Sequence, residues 1–126
     1  MKNILFISFI TLAFVSCKKD KESPVIEIVS PDNAMTFSKG DTILLEANIS
    51  DDIDLAKLHA HVGDENGNHT MDFMWEEELD LIGKTYHYNA SIIIPETVEM
   101  VRYIHLEVTD AESKITEEKI MIHIME

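Results

Sequence analysis

Apolar and polar residues alternate along most of this chain after Pro24, and alternation with a period of two is typical of half-buried β-strands. In segment 42–50, for example, Ile43, Leu45, Ala47 and Ile49 share one face. The stretch 76–83 fits either a helical turn or an irregular strand. The segments with clear alternation are 25–29, 42–50, 56–63, 86–94, 100–109 and 115–125. They predict an all-β fold, an immunoglobulin-like antiparallel β-sandwich of about seven strands.

The dipeptide Asn66-Gly67 predicts a hairpin after segment 56–63, because it favours a two-residue type I′ turn. That turn sets the register of the following segment, 71–75. The predicted inward pairs are all apolar: Val62 with Met71, Ala60 with Phe73, and Leu58 with Trp75. The predicted outward pairs are His61 with Asp72 and His59 with Met74.

A second hairpin is predicted around the turn 110–113. The register that keeps its apolar residues together places Val101 opposite His123, Tyr103 opposite Met121, and His105 opposite Lys119. In an immunoglobulin-like sandwich, segments 56–63 and 100–109 are also neighbours in one sheet. We therefore expect His105 to lie opposite His59 or His61, on the same outward face.

These registers predict a metal site formed by His59, His61, Asp72 and His105. Imidazoles two residues apart on one strand, with ligands from adjacent strands, can converge on one ion. Imidazole suits both Zn²⁺ and Cu²⁺, and Met74 would favour copper only if it reached the ion. The alternative is that these histidines are ordinary polar surface residues.

A calcium site is the second possibility, at the end of the sandwich. Asp51, Asp52, Asp54, Asp110 and Glu112 occupy two loops that the fold brings to the same end. Ca²⁺ takes six to eight oxygen ligands, so several carboxylates suit it. Aspartate is also common in turns for conformational reasons, which is the alternative interpretation.

The N-terminus predicts export and lipid anchoring. Lys2 precedes an apolar run, residues 4–15, that is too short to span a bilayer, as expected of a signal peptide. Ser16-Cys17 holds the only cysteine of the chain and resembles the lipobox of bacterial lipoproteins, which implies cleavage and lipidation at Cys17. A plain cleaved signal peptide is the alternative. The predicted organisation is a signal peptide (1–16), a lipidated cysteine with a charged tether (17–23), and one sandwich domain (24–126).

Charge excludes some partners. From Pro24 onward the chain has six Lys/Arg and 22 Asp/Glu, so nucleic acid would be repelled and cations are the natural ligands. Acidity for solubility is the simpler interpretation. No Gly-x-Ser-x-Gly, His-Glu-x-x-His or phosphate-loop motif occurs, so we do not expect an enzyme.

Several segments together resemble a family of uncharacterised Bacteroidota lipoproteins with one immunoglobulin- or cadherin-like domain. They are Pro24-Val25-Ile26, Gly40-Asp41, Ser50-Asp51-Asp52, Leu55, His59, His61 and the run from Tyr103 to Asp110. The charged run after Cys17 also resembles the tether of surface-displayed lipoproteins. The resemblance implies an outer-membrane lipoprotein, on the periplasmic face or the cell surface. We expect it to bind or present a ligand, with a divalent metal on one sheet face. The alternative is a structural or interaction subunit of a nutrient-uptake or adhesion assembly, with a protein partner and no metal.

Overall fold

The computed structural model describes residues 22–98 and 100–126, and the regular structure in this part of the chain is entirely β. Cys17 and the predicted signal peptide lie outside the described residues. Within those ranges no helix is long and apolar enough to cross a membrane. The strands are β1 (Val25–Ser30), β2 (Met35–Ser38), β3 (Thr42–Ser50), β4 (Leu55–Gly63), β5 (Glu76–Asp80), β6 (Thr85–Ile93), β7 (Val101–Asp110) and β8 (Ile115–Met125).

Two sheets form a β-sandwich, as the alternation predicted. One sheet has three antiparallel strands in the order β1-β3-β6. The other has five strands in the order β2-β8-β7-β4-β5, with β2 parallel to β8 and the remaining pairs antiparallel.

The core lies between the two sheets and is built from the residues that alternate inward. In β3 these are the four residues predicted from sequence, each at most 2% exposed. The alternation of their strands likewise turns Leu58, Ile104, Leu106, Ile120 and Ile122 inward, and all five are buried, while Trp75 is partly buried against the core. Burial of these aliphatic side chains is the main favourable contribution to the stability of the fold.

The β7–β8 hairpin has the predicted register. Val101 pairs with His123, Tyr103 with Met121, and His105 with Lys119. The predicted neighbourhood of β4 and β7 is confirmed too, and it places His61 directly opposite His105.

The register predicted for the first hairpin is wrong. The partner of β4 is β5, drawn from the stretch whose structure was ambiguous, and it places Glu76 rather than Asp72 opposite His61. Residues 64–75 form a loop, here termed the covering loop, in which only the bridge between Thr70 and Phe73 shows strand pairing. Met71, predicted to face inward, is 92% exposed.

The side chain of Asp64 explains why the covering loop replaces the predicted hairpin. Its Oδ1 accepts hydrogen bonds from the backbone N–H groups of Asn66 (2.8 Å) and Asn68 (2.9 Å). The backbone N–H of Gly67 donates to the Asp64 carbonyl, and the N–H of Asp64 donates to the Asn68 carbonyl. Gly67 has a positive φ of 84°, whereas Asn66 does not. The turn is therefore wider than a two-residue type I′ turn and is capped by a carboxylate.

Candidate metal centre

A row of titratable side chains crosses the outward face of the five-stranded sheet. Glu76 of β5, His61 of β4 and His105 of β7 are consecutive partners in this row. His59 lies two residues before His61, on the same face because side chains alternate along a strand. The structure thus brings together three of the four predicted metal ligands.

The imidazole rings are packed against one another. The ring centroid of His61 lies 5.0 Å from that of His59 and 4.8 Å from that of His105, with interplanar angles of 21° and 8°. His69, from the covering loop, contacts His61 at a centroid distance of 5.0 Å. We refer to these four residues as the histidine cluster.

The covering loop buries the centre of this cluster. His61 Nε2 is 3.0 Å from the Gly67 carbonyl oxygen, and His105 Nε2 is 2.8 Å from the Asp64 carbonyl oxygen. His61 is 8% exposed and His105 only 2%. The sequence predicts a solvent-exposed outward face for His59, His61 and His105. In the structure His59 is only partly exposed and the other two are buried, because the loop folds back over the face that a simple hairpin would leave open.

These two contacts determine the proton positions on both rings. A carbonyl oxygen can only accept, so Nε2 must carry the proton in each case. In a neutral imidazole the other nitrogen, Nδ1, then carries a lone pair. The Nδ1 atoms of His61 and His105 are both buried and have no hydrogen-bond partner.

Glu76 provides the negative charge beside the cluster. Its Oε1 is 2.7 Å from His59 Nε2, and its Oε2 is 3.9 Å from His69 Nε2. The hydrogen bond with His59 lowers the pKa of the Glu76 carboxyl, so it remains ionised. Burial lowers the pKa of His61, which favours the neutral imidazole at physiological pH.

Asp72, the fourth predicted ligand, pairs with Arg102 of β7. Arg102 is three residues before His105, and successive strand residues point to opposite faces, so it lies on the other face of the sheet. Met74, the soft ligand considered for copper, is 62% exposed.

Sequence reasoning missed His69, Glu76 and Glu117. Glu117 of β8 has its Oε1 3.6 Å from His105 Nδ1. In the sequence His69 lies next to the predicted hairpin turn, and the two glutamates resemble solvated strand residues. The alternation around Glu117 was the one available signal, since it places this residue on the same outward face as Lys119.

The two acidic loops meet at one end of the sandwich, as expected. The N–H of Ala111 donates to the carbonyl of Asp54 at 2.8 Å. Two of the carboxylates cap their own turns: Asp51 Oδ2 accepts from Ile53 N–H, and Asp110 Oδ1 accepts from the N–H groups of Glu112 and Lys114. Asp110 is 1% exposed, whereas Asp52, Asp54 and Glu112 are exposed. Calcium binding here stays a prediction.

In the side-chain positions of residues 22–98 and 100–126, no group of three or more His, Cys, Asp or Glu side chains has the arrangement of a metal site. The histidine cluster itself is stacked, and the lone pair of an imidazole lies in its ring plane. One ion shared by several of these rings therefore requires at least one of them to turn.

Residues 15–125 match the model of a family described as Domain of unknown function (DUF4625). The chain belongs to this family. The match includes every strand and the whole histidine cluster, so the site lies within the DUF4625 domain. No curated protein matches the chain.

Solved structures with a similar fold include OgpA from Akkermansia muciniphila, crystallised with an O-glycopeptide substrate. This pair has a TM-score of 0.55 and 20% identity, and the likeness covers 86% of the present chain and 32% of the OgpA chain. The DUF4625 chain thus corresponds to about a third of OgpA.

A Niemann-Pick type C2 protein from the Japanese carpenter ant is similar over 85% of this chain and 98% of its own, with a TM-score of 0.53 and 14% identity. At these identities the likeness shows a shared fold and does not extend to activity.

Proposed function

We propose that the protein is a lipid-anchored outer-membrane lipoprotein, on the periplasmic face or the cell surface, that binds a ligand and does not catalyse a reaction. The anchor is supported by the apolar run and the Ser16-Cys17 junction in the sequence. We further propose that its sandwich is immunoglobulin-like, because β4 and β7 are neighbours and the two loops at their ends meet.

The proposed ligand is a divalent transition-metal ion, Zn²⁺ or Cu²⁺, bound on the face of the histidine cluster. One observation carries this proposal: His61 and His105 each donate Nε2–H to a backbone carbonyl and keep a buried Nδ1 without a partner. Metal-binding histidines characteristically donate their other ring N–H to a carbonyl or carboxylate, which fixes the tautomer. His59 fits the same pattern, since its Nε2 is 2.7 Å from the Glu76 carboxylate.

The charge of the domain supports a cation as the ligand. The whole chain has a formal net charge of −14, and Glu76 and Glu117 flank the cluster on two sides. The field of an acidic domain raises the local concentration of cations.

The test is calorimetric titration of residues 18–126 with Zn²⁺ and Cu²⁺, beside a His61→Ala/His105→Ala variant. A His87→Ala/His123→Ala variant is the matched control, because His87 belongs to the three-stranded sheet and His123 lies at the far end of β8. We expect binding in the wild type and the control, and at least tenfold weaker binding in the cluster variant. Equal affinities in all three proteins would show that the cluster is not the site.

The second candidate is a structural or interaction subunit of a surface assembly, and the free edge of β6 favours it. In the described chain β6 pairs on one side only, with β3. Its nine residues include no Asp, Glu, Lys or Arg, whereas the edge strand β5 has the sequence Glu-Glu-Glu-Leu-Asp. Charges usually protect edge strands from pairing, and an uncharged edge can accept an added strand from a partner. Metal content of the purified domain separates the two candidates.

A further inference from the structure

When the His105 imidazole is neutral, its contact with Glu117 places two hydrogen-bond acceptors against each other. His105 Nε2 carries the proton that is donated to the Asp64 carbonyl, so Nδ1 of the neutral ring presents a lone pair. Glu117 Oε1 lies 3.6 Å from that Nδ1. A lone pair and a carboxylate oxygen repel each other unless a proton or a cation lies between them.

The separation of these two atoms suits a metal ion better than a hydrogen bond. A nitrogen–oxygen hydrogen bond spans about 2.7–3.2 Å. Two ligands of a tetrahedral Zn²⁺, with bonds of about 2.1 Å, lie about 3.4 Å apart. The observed 3.6 Å is within a few tenths of an ångström of that value.

The surroundings also suit an ion with bound water. Glu65, Asn66, His105, Glu117 and Lys119 line an open cleft of about 300 Å³, which is room for several waters at about 30 Å³ each. The ammonium group of Lys119 donates a hydrogen bond to the Glu65 carbonyl at 2.8 Å. It also lies over the Tyr103 ring, 5.4 Å from the ring centroid.

A second carboxylate lies beside the first. Glu107 of β7 is the direct register partner of Glu117 and lies on the same outward face as His105. Like charges directly opposite each other on adjacent strands are destabilising. A cation between the two carboxylates would remove this cost.

We propose that the metal ion is bound at the β7–β8 end of the cluster, by His105 Nδ1 and the Glu117 carboxylate, with Glu107 as a third ligand and water completing a zinc-type coordination. This inference rests on the proposed metal-binding function and specifies its ligands. With these ligands the ion contacts only one imidazole, so the stacked rings do not have to share it. His61 then packs against the liganded ring of His105, and the covering loop holds His105 in the tautomer that presents Nδ1.

The experiment is titration of the detergent-solubilised full chain with Zn²⁺ alone, comparing the wild type with Glu117→Gln and Glu118→Gln. Glu117 is exposed, so its substitution leaves the core intact. Glu118 is the matched control, because it is the next residue of β8, points to the opposite face and loses the same charge. We expect at least tenfold weaker binding for Glu117→Gln and unchanged binding for Glu118→Gln.

A second measurement reads the ligand atom directly. In long-range ¹H–¹⁵N spectra of the wild type, Zn²⁺ should shift the Nδ1 resonance of His105 and leave its Nε2–H in place. Zinc binding with equal affinity in the wild type and Glu117→Gln, or through another imidazole, would overturn this inference and leave the proposed function standing. No binding of either Zn²⁺ or Cu²⁺ by the wild type would overturn both.

Discussion

The imidazole rings of His61 and His105 stack almost parallel, 4.8 Å apart, across the neighbouring strands β4 and β7 of the five-stranded sheet. Each ring donates a hydrogen bond to a different carbonyl of the covering loop. Simultaneous protonation of both rings is unfavourable in such a stack, since two adjacent positive charges would repel each other. The loop therefore determines both the burial and the tautomer of the proposed site.

Gly67→Ala tests this role of the loop. Gly67 has φ 84°, where an L-residue costs roughly 1–2 kcal/mol, so we expect a lower melting temperature. Gly83→Ala is the matched control: Gly83 has φ 83° and no heavy atom within 4 Å of an added Cβ, whereas that of Gly67 would lie 3.7 Å from His105 Cε1. Both variants should lose similar stability, but only Gly67→Ala should alter the imidazole NMR signals of His61 and His105. Identical imidazole spectra in the two variants would contradict the proposed control by the loop.

Asp64→Asn should make the protein less sensitive to acid. Hydrogen bonds from the Asn68 side-chain amide, and then from its backbone N–H, lower the pKa of the Asp64 carboxyl. A lowered pKa in the folded state means that the carboxylate stabilises the fold above the ordinary carboxyl pKa of about 3.9, and that this stability disappears as pH falls through the folded pKa.

Melting temperatures measured from pH 7 down to pH 2 check this expectation. Asparagine keeps an acceptor oxygen at the same place but cannot ionise, so the decline of melting temperature with acid should be shallower in the variant. An equally steep decline in both proteins would show that the Asp64 cap contributes nothing to the acid sensitivity.

The sequence was sufficient to predict the sandwich and to place His105 opposite His59 or His61, of which His61 is the partner in the structure. Apolar alternation identifies which residues of a strand are buried. The short turn after Asp110 allows few registers between β7 and β8. The covering loop could not be predicted in the same way. Phe73 is 1% exposed and Trp75 is partly buried, so this loop reproduces the apolar pattern of a strand without pairing as one. Alternation therefore indicates which residues are buried. Which segment pairs with β4 depends on the turn that Asp64 caps.

Leu106→Ala tests the assignment of the core. Leu106 is fully buried at the centre of β7, so truncation loses apolar contact and leaves a cavity, at a cost of about 2–5 kcal/mol. Leu44→Ala is the control, because Leu44 is 64% exposed and such surface changes usually stay within about 0.5 kcal/mol. Urea unfolding measures both. Equal midpoints for the two variants would contradict the assignment.

Cys17→Ser tests the lipid anchor, which lies outside the described residues. If Cys17 is acylated, serine removes the only attachment point for the acyl chains, and the protein should leave the membrane fraction or accumulate unprocessed. Detergent-phase partitioning, with immunoblotting of both phases, measures this. Partitioning of the variant into the detergent phase to the same extent as the wild type would refute the lipoprotein assignment.

Asp72→Asn tests whether Asp72 is a metal ligand, as the sequence predicts, or acts as the ion-pair partner of Arg102, as in the structure. Asp72 and Arg102 form an ion pair with side chains that are 23% and 17% exposed, and a hydrogen bond between charged groups contributes about 1.5–3 kcal/mol. The variant should therefore unfold at a lower urea concentration while its affinity for Zn²⁺ stays within twofold of the wild type. Glu117→Gln should show the opposite combination, with nearly unchanged stability and weaker zinc binding. A tenfold loss of affinity in Asp72→Asn would restore Asp72 as a ligand and would require the covering loop to rearrange when metal binds.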